Sequence, residues 1–468
     1  HHQQAFLRAR TSICFRVEID RLKSGVSSIK FNKHCSLDSK KPLIRQESSI
    51  LAACTVGCKA MHVELHPRYS DNTEAKRAGE LISACVHCGL CLATCPTYLD
   101  TGDERDSPRG RIYLLKQLLE EGEAGAVTRT HLDRCLSCRS CETACPSGMQ
   151  YGKLADIGRG MLNIEAPRGP VERLFRFSLR QTLSRPALVA ALLRTGQLFR
   201  PLLPPRLKRK IPLRQTPGAM PVSTQPRTML ALSGCVQSAA TPLTHAAAAR
   251  VLDRLGISLK IASEAGCCGA VNYHLGAHSD GLDNMRRNID AWWPMIEAGA
   301  EAIISSATGC GSTLVEYGDL LQHDSVYAAK AKRVSALCRD IADVLVDEDL
   351  TLLNIERDIG RVAVHTPCSQ QHALKQPDIV NTILRRAGFT LAKTRDDHLC
   401  CGSAGTYSIL QRSRSERLRQ RKLEALQVDN PALIVSANVG CQLHLDEESK
   451  IPVKHWIELL DPLTHQGH

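Results

Sequence analysis

Residues 85–96 read Cys85-Val86-His87-Cys88-Gly89-Leu90-Cys91-Leu92-Ala93-Thr94-Cys95-Pro96, and fifty residues later Cys135, Cys138, Cys141, Cys145 and Pro146 repeat the spacing. Both runs are C-x2-C-x2-C-x3-C-P. A [4Fe–4S] cube offers four irons, each wanting one thiolate, and a C-x2-C-x2-C loop can wrap three of its corners. The fourth cysteine lies beyond reach of the same cube, and in two-cluster proteins with this spacing it ligates the other cluster. The expected ligand sets are therefore Cys85, Cys88, Cys91 with Cys145, and Cys135, Cys138, Cys141 with Cys95. Zinc ribbons instead separate their C-x2-C pairs by a longer spacer. Ser107-Pro108-Arg109-Gly110-Arg111 opens a helical run between the motifs, its arginines set either to offset anionic clusters or to face solvent.

A second, longer repeat fills the C-terminal half. Cys235, Cys267, Cys268 and Gly269 map onto Cys368, Cys400, Cys401 and Gly402 at an offset of 133, and Cys310 maps onto Cys441 at 131. Around these cysteines the text alternates short apolar runs with helical ones. Thr228–Leu232, Ile257–Ala262 and Ala302–Ser305 read as strands, His245–Leu255 as a helix, and Arg361–Val364 and Leu433–Val435 as the matching strands of the second copy. Such alternation argues for a parallel sheet with helices packed on it. In open sheets of this kind ligands gather beyond the carboxyl ends of the strands, where the cysteines of each copy fall. The expected fold class is α/β, with an α-helical two-cluster ferredoxin module followed by duplicated parallel-sheet modules. Four thiols distant in sequence should then converge in each copy. Adjacent cysteines such as Cys267-Cys268 suit a non-cubane cluster, a ligand beside a second contact, or a ligand beside a redox-active thiol. Cys338 has no counterpart and reads as a core thiol. His274 and His444 lie near the cysteines, but a lone histidine is more often structural.

Composition bounds the rest. The chain has 468 residues, 43% hydrophobic and 4% aromatic, and 21 cysteines. Disulfide frameworks belong to small secreted domains that lack a core, so tight cysteine spacings in a long chain favour thiolate ligation in a reducing, cytoplasmic compartment. The net charge is +12, but residues 1–60 carry eleven Lys/Arg against four Asp/Glu, leaving 49 against 44 elsewhere. No basic face inside a folded domain is demanded, and no nucleic-acid partner is expected. Residues 1–60, with Cys14, Cys35, Cys54 and Cys58, precede the first Met, Met61, and stand as an unassigned basic extension. The expected divisions are a ferredoxin-like domain over 61–165, a basic amphipathic segment and linker over 166–227, and the two repeat modules over 228–350 and 360–461. Leu174, Phe175, Phe177 and Leu179 alternate with Arg173, Arg176 and Arg180. That stretch is expected to pack on its own ferredoxin module, the alternative being peripheral contact with the inner face of the membrane. No G-x-G-x-x-G or G-x-x-x-x-G-K-[ST] loop occurs, so no nucleotide or flavin site is expected on this chain.

The arrangement resembles the iron–sulfur subunits of glycolate oxidase. The resemblance rests on Arg134-Cys135-Leu136-Ser137-Cys138, Cys141-Glu142-Thr143-Ala144-Cys145-Pro146, Glu264-Ala265-Gly266-Cys267-Cys268-Gly269, Asn288-Ile289-Asp290-Ala291-Trp292-Trp293 and Leu399-Cys400-Cys401-Gly402-Ser403-Ala404-Gly405. It covers about residues 61–461. It implies two cysteine-rich "CCG" modules and a complex in which flavoprotein subunits, carrying FAD, oxidise glycolate to glyoxylate. This chain would pass the electrons to a quinone or another acceptor and would not be active alone. The same modules occur in heterodisulfide reductase and in lactate and glycerol-3-phosphate dehydrogenase iron–sulfur subunits, which are the alternative readings. The wider CCG pattern ends in C-x-x-C, whereas here the copies end in Cys310-Gly311-Ser312-Thr313 and Cys441-Gln442-Leu443-His444. A further iron–sulfur cluster in the CCG modules is expected, its type left open.

Overall fold

The computed structural model describes residues 61–463 apart from 223, 354, 356, 357 and 462. The basic extension and its four cysteines lie outside the described residues. The ferredoxin module is helical: α1 (Thr73–Ser83), α2 (Pro108–Glu121), α3 (Ala126–Asp133) and α4 (Tyr151–Glu165). Local chemistry sets the start of α2. Ser107 Oγ accepts from Gly110 N at 3.0 Å, and Pro108 fills the first turn, where its missing N–H costs nothing. One face of α2 buries Ile112, Leu115, Leu118 and Leu119 against Leu154, Ile157 and Leu162 of α4. Each such side chain contributes about 1.5–3 kcal/mol relative to exposure.

Two further helices, α5 (Pro170–Leu183) and α6 (Pro186–Phe199), follow. Here the structure reverses part of the expectation, because α5 packs through its charges. Arg168 just ahead of it and Arg176 both reach Asp133, and Arg180 reaches Asp280 at 2.9 Å. Its apolar residues face outward: Val171, Leu174, Phe175 and Phe177 are 81%, 65%, 50% and 48% exposed. Amphipathicity shows that a helix has two faces, and here carboxylates far away in sequence decide which one is covered.

The first CCG module runs β1 (Arg227–Ala231), α7 (Pro242–Arg254), β2 (Ile257–Ile261), α8 (His278–Glu297), β3 (Ile303–Ser305), α9 (Thr308–Leu314) and β4 (Cys338–Asp340). Its sheet is parallel with order β2-β1-β3-β4. The second runs β5 (Val362–His365), α10 (Ile379–Arg386), α11 (Arg412–Leu426), β6 (Leu433–Ser436), α12 (Val439–Asp446) and β7 (Val453–His455). Its order is β5-β6-β7, and a bridge from Val362 to Leu391 stands where β2 stands in the first copy. The edge strands β4 and β7 are too short and too polar to be read from sequence, and Cys338 is buried at the start of β4.

The modules share one core. Met229, Leu252 and Ile341 of the first pack in a single cluster with Val362, Ile383 and Trp456 of the second. Equivalent loops meet across the join: Thr308 N donates to Ala437 O at 3.1 Å, and Gly309 N to Asn438 Oδ1 at 3.2 Å. Among the described residues no helix is long and apolar enough to cross a membrane.

Candidate metal centres

The chain reverses around the two C-x2-C-x2-C loops, each entered from a helix end, and this brings thiols of both runs together. Cys85, Cys88 and Cys91 line one cavity with Cys145, and Cys141 reaches the same wall, along with Arg109 and Met149. Burial pushes the Cys85 thiol up, and Cys145 adds to the rise. Cys95 falls on the other side. Cys138 and Cys141 are driven well above the ordinary thiol value, first by burial and then by neighbouring thiols that include Cys95. Burial also pushes Cys135 up, but Arg111 and Arg159 outweigh it and hold its thiol low. Cys145 thus lines the cavity of the first run, and Cys95 is among the thiols near Cys138 and Cys141 of the second. Crowded thiols that disfavour one another's ionisation, with buried guanidinium groups nearby, form a donor set suited to a cationic metal core with a net anionic cluster charge.

Cys95 sits on the backbone of Asp106 in its own module. Asp106 O accepts from Thr97 Oγ1 at 2.7 Å, and Cys95 Sγ lies 3.6 Å from the same carbonyl. The Asp106 carboxylate, wholly buried, meets His131 Nδ1 at 2.7 Å, Arg414 at 3.2 Å, Arg134 at 3.4 Å and Arg111 at 3.6 Å. Asp103, Asp106 and His131 could outline a cation site, but three guanidinium groups already supply its positive charge.

In the first CCG module β1 leads on to β2 at one edge and β3 to β4 at the other, and in both copies the cysteines sit past the strand ends: Cys235 after β1 and Cys310 at the start of α9, Cys368 after β5 and Cys441 at the start of α12. The adjacent pairs swing in on loops whose glycines allow a tight approach. Gly269 and Gly402 have φ of +92° and +88°, and a Cβ on either would stand 2.7 Å from a backbone oxygen, of Gly281 and Ser415 respectively.

In the first copy Cys267 lies beside Cys235 and Cys268, and Cys268 beside Cys310, near enough for each thiol to shift its neighbour's ionisation. The neighbouring Cys235 and Cys268 thiols, with Gly269 N and Arg287, hold Cys267 well below the usual thiol range. Asn288 Oδ1 accepts from Gly266 N at 2.8 Å while its Nδ2 donates to Cys267 O at 2.9 Å, and Tyr317 donates to Cys268 O at 2.8 Å. These bonds fix the loop that carries the pair.

In the second copy Cys368 Sγ and Cys400 Sγ are 3.9 Å apart, Cys401 joins Cys400, and Cys441 joins Cys401. Gly402 N donates to Cys400 Sγ and Asn438 Nδ2 to Cys441 Sγ, each at 3.4 Å. His274 and His444 are engaged elsewhere: His274 Nδ1 meets Asp156 at 3.0 Å, and His444 Nε2 meets Ser415 Oγ at 3.1 Å. Sequence reasoning missed His365, the last residue of β5, which the structure brings to Cys401 and Cys441.

The copies meet the ferredoxin module differently. The first is docked by charge: Arg139 on Glu316, and Arg77 and Lys153 on Asp319. The second is docked through Arg414 on Asp106 and Arg417 on Asp100, around an apolar contact of Leu136, Tyr407 and Leu418. Cys138, Cys368 and Cys400 belong to that contact.

Comparison with known proteins agrees with this architecture. Residues 80–149 match the 4Fe-4S dicluster domain, and residues 229–315 and 362–446 each match the cysteine-rich domain. The glycolate oxidase iron-sulfur subunit of Escherichia coli (strain K12) is 49% identical over 402 residues, 86% of this chain and 98% of that protein. The chain belongs to the glycolate oxidase iron–sulfur subunit family. A probable glycolate oxidase iron-sulfur subunit of Bacillus subtilis (strain 168) is 29% identical over 83% of this chain and 95% of its own length. Lactate utilization protein A of Bacillus velezensis is 29% identical but spans only 46% of this chain. Within the glycolate oxidase iron–sulfur subunit family, then, likeness runs through the ferredoxin module, the linker and both CCG modules of this chain.

Proposed function

We propose that this chain is the electron-carrying subunit of a glycolate-oxidising complex. It takes electrons from FAD-bearing partner subunits that convert glycolate to glyoxylate, and delivers them to a quinone or another acceptor. In this reading Cys85, Cys88, Cys91 and Cys145 hold one [4Fe–4S] cluster, Cys135, Cys138, Cys141 and Cys95 the other, and the CCG thiols hold a further iron–sulfur centre. Bound clusters supply one-electron carriage; the protein's part is spacing, burial and charge.

The observation that carries the reading is an unbroken series of thiols. It starts at the cavity of Cys85 and Cys145, continues through Cys141 and Cys138, and reaches Cys368 and Cys400. A metal-bound scaffold has no use for such a series, whereas a one-electron path needs one. The test is dye reduction by glycolate. The purified chain alone should give none, addition of the flavoprotein partners should restore it, and Cys88→Ser in the complex should interrupt it. Full turnover by the single chain would refute the proposal.

The outward apolar face of α5, with Leu192 and Phe199 of α6 and the exposed Arg173, suits peripheral contact with an anionic membrane surface. Sedimentation with anionic vesicles should deplete the chain, and a Leu174→Asp, Phe175→Asp double variant should stay in solution. Equal sedimentation of both proteins would remove the membrane from the reading.

A further inference from the structure

The two CCG copies are related by sequence, yet one position at the strand end has diverged in a way that changes the donor set. His365 closes β5, and the residue 133 positions earlier, just past the end of β1, is the buried Leu232. A ring nitrogen of His365, Cys401 Sγ and Cys441 Sγ all lie within 4.8 Å of one another, and all three residues are buried. The matching place in the first copy offers only a hydrocarbon side chain.

The histidine is also aimed. His365 Nδ1 meets Ser436 Oγ of the neighbouring strand at 3.1 Å, in the register that pairs His365 with Ser436. Metal-ligating imidazoles characteristically spend one ring nitrogen on such an oxygen partner, which fixes ring orientation and tautomer while the other nitrogen binds. In the first copy the equivalent serine is Ser305, whose hydroxyl turns back on its own loop, donating to Ala307 O at 2.8 Å. Histidine and its orienting hydroxyl therefore occur together in one copy, and in the other both the histidine and the orienting role are missing. Cys441 is placed as well, by Asn438 Nδ2 at 3.4 Å.

We propose that His365 is a nitrogen ligand of an iron–sulfur centre in the second CCG module, bound with Cys401 and Cys441, so that the two modules hold non-equivalent centres. This rests on the reading that the second module binds a cluster. Two thiolates and one imidazole would also accept zinc. The choice of iron follows from the thiol series, which extends from Cys401 to Cys400 and on to Cys368 at 3.9 Å, more donors than one tetrahedral ion can use. It follows also from the contact with Cys138, which places the site at the end of the electron path. The imidazole supplies a neutral donor, from the end of β5, to a module whose closing C-x-x-C lacks its second thiolate, His444 standing in that place. Replacing thiolate by imidazole on an iron raises the reduction potential, so the second module becomes the better electron sink.

The test uses the full chain, reconstituted anaerobically with iron and sulfide and labelled with 14N- or 15N-histidine. Pulsed EPR is recorded on the signal that Cys401→Ser removes. The expected result is a nitrogen coupling that follows the isotope and vanishes in His365→Leu, the residue of the first copy. His365→Cys should retain the iron count, lose the coupling and shift the potential of that signal downward. A Cys401-dependent signal without histidine nitrogen coupling would leave the cluster in place and overturn the ligand assignment. Zinc in place of iron, or no signal that depends on Cys401, would overturn both the assignment and the cluster beneath it.

Discussion

Removal of the Asp106 carboxylate tests whether one buried acid ties the second CCG module to the cluster-bearing loop. The side chain is 0% exposed and has four cationic or ionisable neighbours, but they do not count equally. Arg134 and Arg414 are partly solvated, and pairs of that kind are worth about 0–1 kcal/mol each. Arg111 is 1% exposed, and stripping a buried charge of its counter-ion costs about 3–5 kcal/mol. Its remaining bonds, to His131 O at 2.7 Å and Thr97 Oγ1 at 3.1 Å, hold the loss toward the lower part of that range. Asp106→Ala should therefore destabilise the cluster-loaded protein by about 4 kcal/mol. Asp106→Asn, which keeps an acceptor for His131, should cost about 1.5–3 kcal/mol, the worth of a charged hydrogen bond. Anaerobic urea titration followed by far-ultraviolet circular dichroism would read the loss. Visible absorbance should bleach at lower urea in the variant, because the carboxylate anchors the turn whose backbone carbonyl, at residue 106, Thr97 and Cys95 sit on. A loss below about 1 kcal/mol for Asp106→Ala would refute the reasoning.

Other perturbations follow from the same geometry. Gly402→Ala sets a Cβ 2.7 Å from Ser415 O at φ +88°; it should cost more than about 2 kcal/mol and lower iron bound by the second CCG module, whereas Gly405→Ala, with φ +61° and open space, should cost about 1–2 kcal/mol. Cys95→Ser should perturb the EPR signal of the cluster on the second run and Cys145→Ser that of the first; same-run perturbation in both would reverse the wiring. Burial pushes His455 down to about 3 from 6.5, so the folded state resists its protonation, and stability should fall as pH drops from about 6.5 toward 3. Burial pushes Glu458 up to about 7 from 4.5, so its contribution is present below about pH 4.5 and lost as pH rises through about 7. Denaturation midpoints across pH should show the acid limb flattened in His455→Gln and the upper limb flattened in Glu458→Gln.

What was legible in the sequence depended on how far each contact reaches. Ligand spacing in the C-x2-C-x2-C runs is local, and so it could be read directly. The strand–helix alternation predicted strands within a residue or so of β1, β2, β3, β5 and β6. The doubled cysteine pattern pointed to strand ends because a parallel sheet leaves its loops there. Repeat alignment, however, finds what two copies share and is blind where they differ. His365 has Leu232 as its counterpart, so nothing in the doubled text singled it out; its place three residues before Cys368 at the end of an apolar run was the available signal. The orientation of α5 was hidden for another reason. The amphipathic pattern was plain, but its arginines found Asp133 and Asp280, about forty and one hundred residues away, and the polar face became the inner one. The Asp106 cluster was equally invisible, since Arg111, His131 and Arg414 meet it from three elements.

The different docking of the two CCG copies bears on which of them lies on the electron path. Duplication yields two thiol sets of the same outline, and a symmetric arrangement would let either accept electrons from the ferredoxin module. The interfaces break that symmetry. Around the first copy the described contacts are polar, Arg139 with Glu316, Arg77 and Lys153 with Asp319, His274 with the buried Asp156 and Asn163 with Gly276, and no thiol takes part in them. Around the second, Leu136, Tyr407 and Leu418 exclude water beside Cys138, Cys368 and Cys400, so two donor sets share one apolar wall. Electron transfer falls steeply with distance, and the wall shared by Cys138, Cys368 and Cys400 makes the second copy the expected acceptor. The Asn288 and Tyr317 bonds that brace the Cys267-Cys268 loop fit a site kept in shape away from that path. Truncation of Leu136 to Ala should therefore slow electron arrival at the second module while leaving the iron content of the first unchanged. Freeze-quench EPR of the glycolate-reduced complex would separate the two signals, and equal slowing in both would mean that the path divides.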